Sequence, residues 1–170
     1  MLTLEEQKIA PAPRTLAELA QSLASLGFSD PTFSLRVTTM AAGQVHKFNG
    51  MDLAQLLSSL RGAGEVKRRR ATGLSSAQPL YHGGLLREAA PRIARLAPRM
   101  NPQTLTTCFL SLAHLGYHDD TAVPALEREL LRKAAAAELA PQGLCNAVLA
   151  AAKLGRNRSS LFPELAPALT

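Results

Sequence analysis

Apolar residues recur at helical spacing in four similar stretches of the chain. Each stretch starts with a leucine, has apolar residues three, four, seven and ten positions later, and has a glycine at the eleventh position. This period is that of an amphipathic helix, and glycine is the residue best suited to end one. The leading leucines are Leu16, Leu53, Leu105 and Leu144, and the glycines are Gly27, Gly64, Gly116 and Gly155.

A second apolar stretch follows each glycine, at residues 31–40, 85–96, 121–137 and 161–169. Asp119 and Asp120 precede the third stretch and favour a helix N-terminus there, while Pro91 and Pro163 are expected to limit or kink their helices. Neither helix of a pair can bury its apolar stripe alone, so the pairs are expected to stack. The pattern predicts an all-α fold, in which residues 14–169 form one short right-handed α-solenoid of about four helical hairpins after an N-terminal extension at residues 1–13.

The composition agrees with a helical fold. Leucine and alanine supply 59 of the 170 residues, whereas valine and isoleucine together supply seven. No apolar run approaches the roughly 20 residues of a membrane-spanning helix, which predicts a soluble protein without a membrane partner. Asn101, before Pro102, is a candidate N-cap, and Leu112 and Leu149 are expected to lie between stacked hairpins.

Positive charge is concentrated in one part of the chain. The leading leucines lie 37, 52 and 39 residues apart, and the long second interval contains the sequence Lys67-Arg68-Arg69-Arg70. We therefore expect a basic loop to be inserted at about residues 62–80. Residues 47–99 carry a formal charge of +7 and the remainder −1. A basic segment on a neutral body predicts a polyanionic partner, of which nucleic acid is the commonest.

Two strings carry a resemblance to a known kind of repeat. Residues 100–105 read MNPQTL and are followed by LAHLGY at residues 112–117, while residues 139–144 read LAPQGL and are followed by AAKLG at residues 151–155. These strings resemble the units of octotricopeptide and heptatricopeptide repeat proteins, and are similar to the repeats of RAP-domain and FAST-kinase-like proteins. The resemblance implies an α-solenoid of mitochondria or plastids that binds RNA or serves as a subunit of a mitochondrial ribosome.

A mainly polar stripe is predicted on the first helix of each hairpin, at the second, sixth and ninth residues after the leading leucine. Short polar side chains on stacked helices can hydrogen-bond unpaired bases, and Gln55, Asn146 and Lys153 are the candidate contacts. The alternative is the solvated face that any amphipathic helix needs. The full stripe comprises Glu18, Ser22, Ser25, Gln55, Ser59, Gly62, Thr107, Ser111, His114, Asn146, Ala150 and Lys153.

Arginine and lysine side chains of the basic segment are the candidate phosphate contacts. Arg92, Arg95 and Arg99 recur at intervals of three and four, so they are expected to share one helix face, and the arginine fork suits phosphate. A solvated face, or a nuclear localisation signal at residues 67–70, is the alternative. The set comprises Arg61, Lys67, Arg68, Arg69, Arg70, Arg87, Arg92, Arg95 and Arg99.

The sequence predicts a binding protein and no enzyme, cofactor or small-molecule substrate. Cys108 and Cys145 are expected to be isolated core residues. His114 and His118 are not expected to bind a metal, because Gly116 ends the helix between them and no third ligand converges. No phosphate-binding glycine loop or nucleophile elbow is present.

The expected function is that of a structural subunit of a mitochondrial ribosome or a similar organellar ribonucleoprotein. It would contact ribosomal RNA through the basic segment and neighbouring subunits through its helix faces. The alternative is a protein-binding scaffold of armadillo or HEAT type without nucleic acid. A mitochondrial or plastid location follows from the resemblance alone, because residues 1–15 contain two acidic residues and do not look like an organellar presequence.

Overall fold

The computed structural model describes residues 11–27, 30–70 and 83–156, and their side chains except those of Pro31 and of residues 61–70. All regular structure in these ranges is helical, which confirms the predicted all-α class. Single 3-10 turns lie at Val45–Lys47 and Ala97–Arg99. The α-helices are α1 (Pro13–Ser25), α2 (Pro31–Ala42), α3 (Gly50–Arg70), α4 (Gly83–Leu96), α5 (Pro102–His114), α6 (Ala122–Ala135) and α7 (Pro141–Lys153).

Local signals begin and end the helices much as the sequence predicts. The Asn101 side chain accepts a hydrogen bond from the Thr104 amide at 2.8 Å and caps α5. Asp119 accepts from the Thr121 amide at 2.8 Å at the start of α6. Three of the four repeat glycines follow a helix in the left-handed region, where a side chain is disfavoured. They are Gly27, Gly116 and Gly155, with φ of 69°, 64° and 66°.

The second repeat departs from the prediction. α3 does not end at Gly64 but continues through Arg70, so the loop expected at about residues 62–80 is wrong for residues 62–70. Lysine, arginine and glutamate are good helix formers, and Gly62 and Gly64 each disfavour the helix by only about 1 kcal/mol. Residues 71–82, and the helix expected at residues 161–169 with Pro163, lie outside the described part of the chain.

Pro91 lies inside α4 rather than at its end. Of the two effects expected of this proline, a limit or a kink, the limit is therefore wrong. α4 runs for 14 residues around it, and its buried residues lie on both sides of the proline, from Leu85 to Ile93. Packing of this apolar stripe offsets the backbone hydrogen bond that a proline cannot donate.

The helices pack in two layers. In the odd layer α1 packs on α3, α3 on α5 and α5 on α7, and in the even layer α2 packs on α4 and α4 on α6. Contacts between neighbours are more extensive in the odd layer. The core between the layers includes Leu112, which is 1% exposed as predicted. Leu149 is 45% exposed, so its predicted burial is wrong, because no described helix packs on the far side of α7.

Candidate nucleic-acid interface

The even layer and the turns beside it carry a cationic surface. Seven arginine and lysine side chains and one histidine are exposed there, on α2, α4, α6 and the two 3-10 turns. Among the residues that the structure describes, one of these cations forms an ion pair: Arg132 lies 2.8 Å from Glu129 of its own helix. The exposed side chains are Arg36, His46, Lys47, Arg87, Arg95, Arg99, Arg128 and Arg132.

An open cleft of about 580 Å³ lies between the Val45–Lys47 turn and α4. Arg92 and Arg95 both line it, which agrees with their predicted common face. His46 faces them from the turn, and Glu88 is the acidic residue of the lining. The cleft therefore combines a net positive charge with room for a phosphate group.

Arg92 has a structural role that its place in the sequence does not reveal. Its Nε and Nη2 donate to the carbonyl oxygen of Phe48 at 3.1 and 2.9 Å. Phe48 is fully buried and follows the 3-10 turn directly. Arg92 thus ties this turn to α4 and holds His46 and Lys47 beside the cleft, so that it shapes the site as well as contributing charge.

Arg87 and Arg99 lie apart from this cleft. Arg99 belongs to the 3-10 turn after α4, so the prediction that it shares a helix face with Arg92 and Arg95 is wrong, because α4 ends at Leu96. Arg87 lies near Tyr117 at the other end of α4. The pKa of Tyr117 is raised mainly by burial and by Asp119, and the charge of Arg87 opposes this rise.

The Lys67–Arg70 group lies on the last turn of α3. The residue equivalent to the last one of α1, α5 and α7 is Gly62, and α3 continues for eight residues beyond it. At 1.5 Å per residue this extension is about 12 Å long. Arg61 lies just before it. These eight residues, 63–70, form an extension that we call the α3 arm. The backbone therefore places the five predicted cations of this helix on or beside the α3 arm, which projects past the ends of the neighbouring odd helices.

The predicted base-reading stripe does not form one solvated face. The sixth residue after each leading leucine is buried in three helices: Ser59, Ser111 and Ala150 are 3%, 0% and 0% exposed. In α1, which no described helix precedes, the equivalent Ser22 is exposed. This position therefore faces the preceding odd helix and is wrong as a base contact. The buried Ser111 hydroxyl has no hydrogen-bond partner among the described residues.

The outer face of the odd layer is instead formed by the residues two before and two and nine after each leading leucine, and the fifth residue lies at its border with the side that meets the following odd helix. In a helix these positions lie within about 60° of one another. Gln55 and Asn146 are half-buried and Lys153 is exposed, so all three predicted contacts lie on this face. Gln142 donates to the Asn146 side chain at 3.2 Å. The face is mostly uncharged, with Gln21, Gln55, Gln103, Gln142 and Asn146 as its amides.

The two cysteines differ in environment. Cys108 is fully buried and burial raises the pKa of its thiol to about 12, as expected of a core residue. Cys145 is exposed on α7, so its predicted burial is wrong. Among residues 11–27, 30–70 and 83–156, no three histidine, cysteine or acidic side chains cluster as a metal site would require. In the same ranges, no helix is both long and apolar enough to cross a membrane.

Comparison with known proteins does not assign this chain to a family. No family model matches the chain, and no curated protein is similar to it at a significant level. The helix layers and their charges are therefore the basis on which a function can be inferred.

Proposed function

We propose that this chain is an RNA-binding helical repeat protein, a structural subunit of a mitochondrial ribosome or of a similar organellar ribonucleoprotein. Its role is binding, without catalysis. The cationic even layer and the α3 arm contact phosphates of ribosomal RNA, and other helix faces contact neighbouring subunits.

Stacked hairpins support the solenoid part of this proposal. Each odd helix packs on the next odd helix, and each even helix on the next even helix, as in repeat proteins whose units contact chiefly their neighbours. Three hairpins, α1–α2, α3–α4 and α5–α6, are followed by α7 as the first helix of a fourth. We propose that they form a short right-handed α-solenoid.

The distribution of charge is the observation that carries the RNA-binding function. Exposed cations lie along three successive even helices and their turns, whereas the outer face of the odd layer is mostly neutral. Arg87 and Arg95 are about 12 Å apart along α4. Duplex nucleic acid presents one charge per about 1.7 Å of its axis, so separated cations of this kind can meet several phosphates of one RNA.

The organellar assignment has a different support, the resemblance of the MNPQTL and LAPQGL strings to organellar repeats. Fractionation of cells that express the tagged full chain tests it directly. Crosslinking and sequencing of RNA from the native particles then identifies the bound molecule. Recovery of ribosomal RNA from mitochondria or plastids is the expected result, and a chain confined to another compartment would contradict the assignment.

The salt dependence of RNA affinity tests phosphate binding. Each phosphate contact contributes about 0.9 to the log–log salt slope for duplexes and about 0.7 for single strands. Substitution of Lys67, Arg68, Arg69 and Arg70 by glutamine keeps good helix formers in the α3 arm. We expect the slope to fall by up to about 3.6 on a duplex or about 2.8 on a single strand.

Arg14, on the odd layer, provides the control for this experiment, because it is already paired with Glu18 at 2.8 Å. The variant Arg14→Gln is expected to keep a nearly unchanged slope. A tetrad variant with the wild-type slope would remove the arm from the interface, and binding that ribonuclease leaves intact would favour a protein scaffold.

A further inference from the structure

The cleft between the Val45–Lys47 turn and α4 has a counterpart in the next repeat. The Ala97–Arg99 turn packs on α6 as the Val45–Lys47 turn packs on α4. The two turns correspond at a separation of 52 residues, the interval between the leading leucines that follow them. The buried residues of α4 and α6 correspond at a separation of 37 residues, as do Ala89 and Leu126, both fully buried. The two places can therefore be compared residue by residue.

The cleft and its counterpart share their packing and differ in their side chains. At four corresponding positions the cleft has His46, Glu88, Arg92 and Arg95, and the counterpart has Pro98, Ala125, Glu129 and Arg132. In the counterpart Arg132 is paired with Glu129 at 2.8 Å, whereas the residue three before Arg95 is another arginine. A turn packs on a helix in the counterpart without a histidine or the first carboxylate. Packing of the hairpins therefore does not require His46 or Glu88.

Along α4, the lining of the cleft has a carboxylate first, then an apolar ring, then two cations. Glu88, Pro91, Arg92 and Arg95 all line the cleft, and their spacing of three, four and seven residues is that of one helix face. Seven residues of helix span about 10 Å, so the backbone places Glu88 and Arg95 two turns apart. His46 lines the cleft from the opposite side. The cleft volume of about 580 Å³ lies within the roughly 300–1,000 Å³ of small-ligand sites.

Arg92 is the cation whose orientation is fixed. Its Nε and Nη2 donate to the Phe48 carbonyl oxygen at 3.1 and 2.9 Å. These two bonds hold the plane of the guanidinium group and do not use the N–H donors of Nη1. A guanidinium held in this way is suited to an anionic oxygen, above all that of a phosphate. Arg95, three residues further along α4, adds a second cation at the same end of the cleft.

We propose that the cleft binds one unpaired guanine nucleotide of the RNA, with its phosphate at Arg92 and Arg95 and its base at Glu88. Guanine is the RNA base whose Watson–Crick edge presents two adjacent donors, N1–H and the N2 amino group. A carboxylate has two acceptor oxygens and no donor, so Glu88 can accept from both. The His46 imidazole provides a ring for stacking, as aromatic side chains do for unpaired bases. This inference rests on the proposed RNA-binding function and names the nucleotide that the cleft selects.

Binding of short single-stranded RNAs to the full chain tests the proposal. The probes are a labelled oligouridine and the same strand with one central guanine, adenine or inosine, and fluorescence anisotropy at one salt concentration measures each affinity. A bidentate contact to a base discriminates by about 5- to 150-fold. The guanine strand is therefore expected to bind at least about fivefold tighter than the uridine and adenine strands. Inosine lacks the N2 amino group and should lose most of this preference in the wild type, without any substitution in the protein.

A pair of charge-matched variants locates the preference at the carboxylate of the cleft. Glu88→Gln, at an exposed residue, removes a negative charge and should bind all four strands somewhat more tightly, but it should lose the preference for guanine. Glu129→Gln removes the same charge from the counterpart. It should raise the affinity for all four strands in the same way and keep the preference for guanine.

A second pair of variants tests stacking. Stacking of a base on an aromatic side chain contributes a factor of about 5 to 150 in affinity. His46→Ala is therefore expected to weaken binding of the guanine strand by at least about fivefold. Pro98→Ala, at the corresponding exposed position of the counterpart, is the matched control and should leave this affinity unchanged.

The outcomes separate this proposal from RNA binding itself. Equal affinity of the wild type for the four strands, as when another segment of the chain covers the cleft, would overturn the guanine site and leave RNA binding in place. A guanine preference that Glu88→Gln retains would also overturn it. If the wild type binds neither these strands nor an RNA duplex, both the guanine site and the proposed RNA-binding function are wrong.

Discussion

The two helix layers differ in how tightly their helices pack and in how many exposed cations they carry. In the odd layer, neighbouring helices make the more extensive contacts. Polar side chains such as those of Ser59 and Ser111 are also buried between these helices. In the even layer, each helix has at least one exposed arginine. A surface that carries many cations repels itself unless a polyanion is bound. The comparison indicates that the odd layer holds the stack together, whereas the even layer, together with the α3 arm that extends from the odd layer, is adapted to a partner.

Truncation of a core residue of the odd layer should give the largest effect. Leu112 is 1% exposed on α5, whereas Leu149 on α7 is 45% exposed. We expect Leu112→Ala to lower the free energy of unfolding by about 2–5 kcal/mol and Leu149→Ala to lower it by less than about 1 kcal/mol. Urea denaturation of both variants measures the difference. Equal losses would show that α7 is covered as fully as α5.

The layers differ in how far the sequence predicts them. The odd helices α1, α5 and α7 could be predicted because their apolar spacing and their final glycines act within one helix. The burial of Ser59 and Ser111 against a neighbouring helix could not be predicted from the sequence, because hydropathy does not show which side of a helix meets its neighbour. The length of α3 was missed for a related reason: Gly64 is a stop signal only where the following residues favour a turn.

The candidate site shows the same limit. The spacing of Arg92 and Arg95 predicted a common helix face, and both residues line one cleft in the structure. The hydrogen bonds from Arg92 to Phe48 join residues 44 positions apart in sequence, and only the tertiary packing brings them together. His46 was missed as a cleft residue for the same reason, although it precedes Lys47 at the start of the basic segment.

Two arginines of the even layer should separate stability from binding. We expect Arg92→Ala to lower the free energy of unfolding by about 1–3 kcal/mol, because it removes charge-assisted hydrogen bonds to the Phe48 carbonyl. Arg95→Ala, at an exposed residue of the same cleft, should leave stability nearly unchanged. Thermal and urea unfolding report the first effect and RNA titration the second. Equal destabilisation by both substitutions would contradict the structural role of Arg92.

RNA affinity should distinguish the two layers. The double variant Arg95→Gln/Arg99→Gln removes two exposed cations near the even layer and should reduce the salt slope by about 1.4–1.8. The matched odd-layer variant Gln55→Ala/Asn146→Ala removes no charge and should leave the slope unchanged. If the odd-layer variant instead loses affinity at every salt concentration, its amides contact bases, and RNA binding extends to both layers.

The smallest expected effect concerns an ion pair beyond the end of α6. Lys133, buried to all but 9% of its side chain, lies 2.8 Å from Glu138, and this contact lowers the pKa of the Glu138 carboxyl. Because the pKa is lower in the folded chain, the pair stabilises the fold above the ordinary glutamate pKa of about 4.3, and this contribution is lost as the pH falls through the folded value. Glu138→Gln should therefore reduce stability slightly at pH 7 and flatten its decline below about pH 4.3. Glu129→Gln serves as the comparison, because it removes an ion pair in which the arginine, Arg132, is exposed. The measurement is the free energy of unfolding of Glu138→Gln and of the wild type between pH 2 and pH 7. The same pH dependence in both would show that the ion pair with Lys133 does not stabilise the fold.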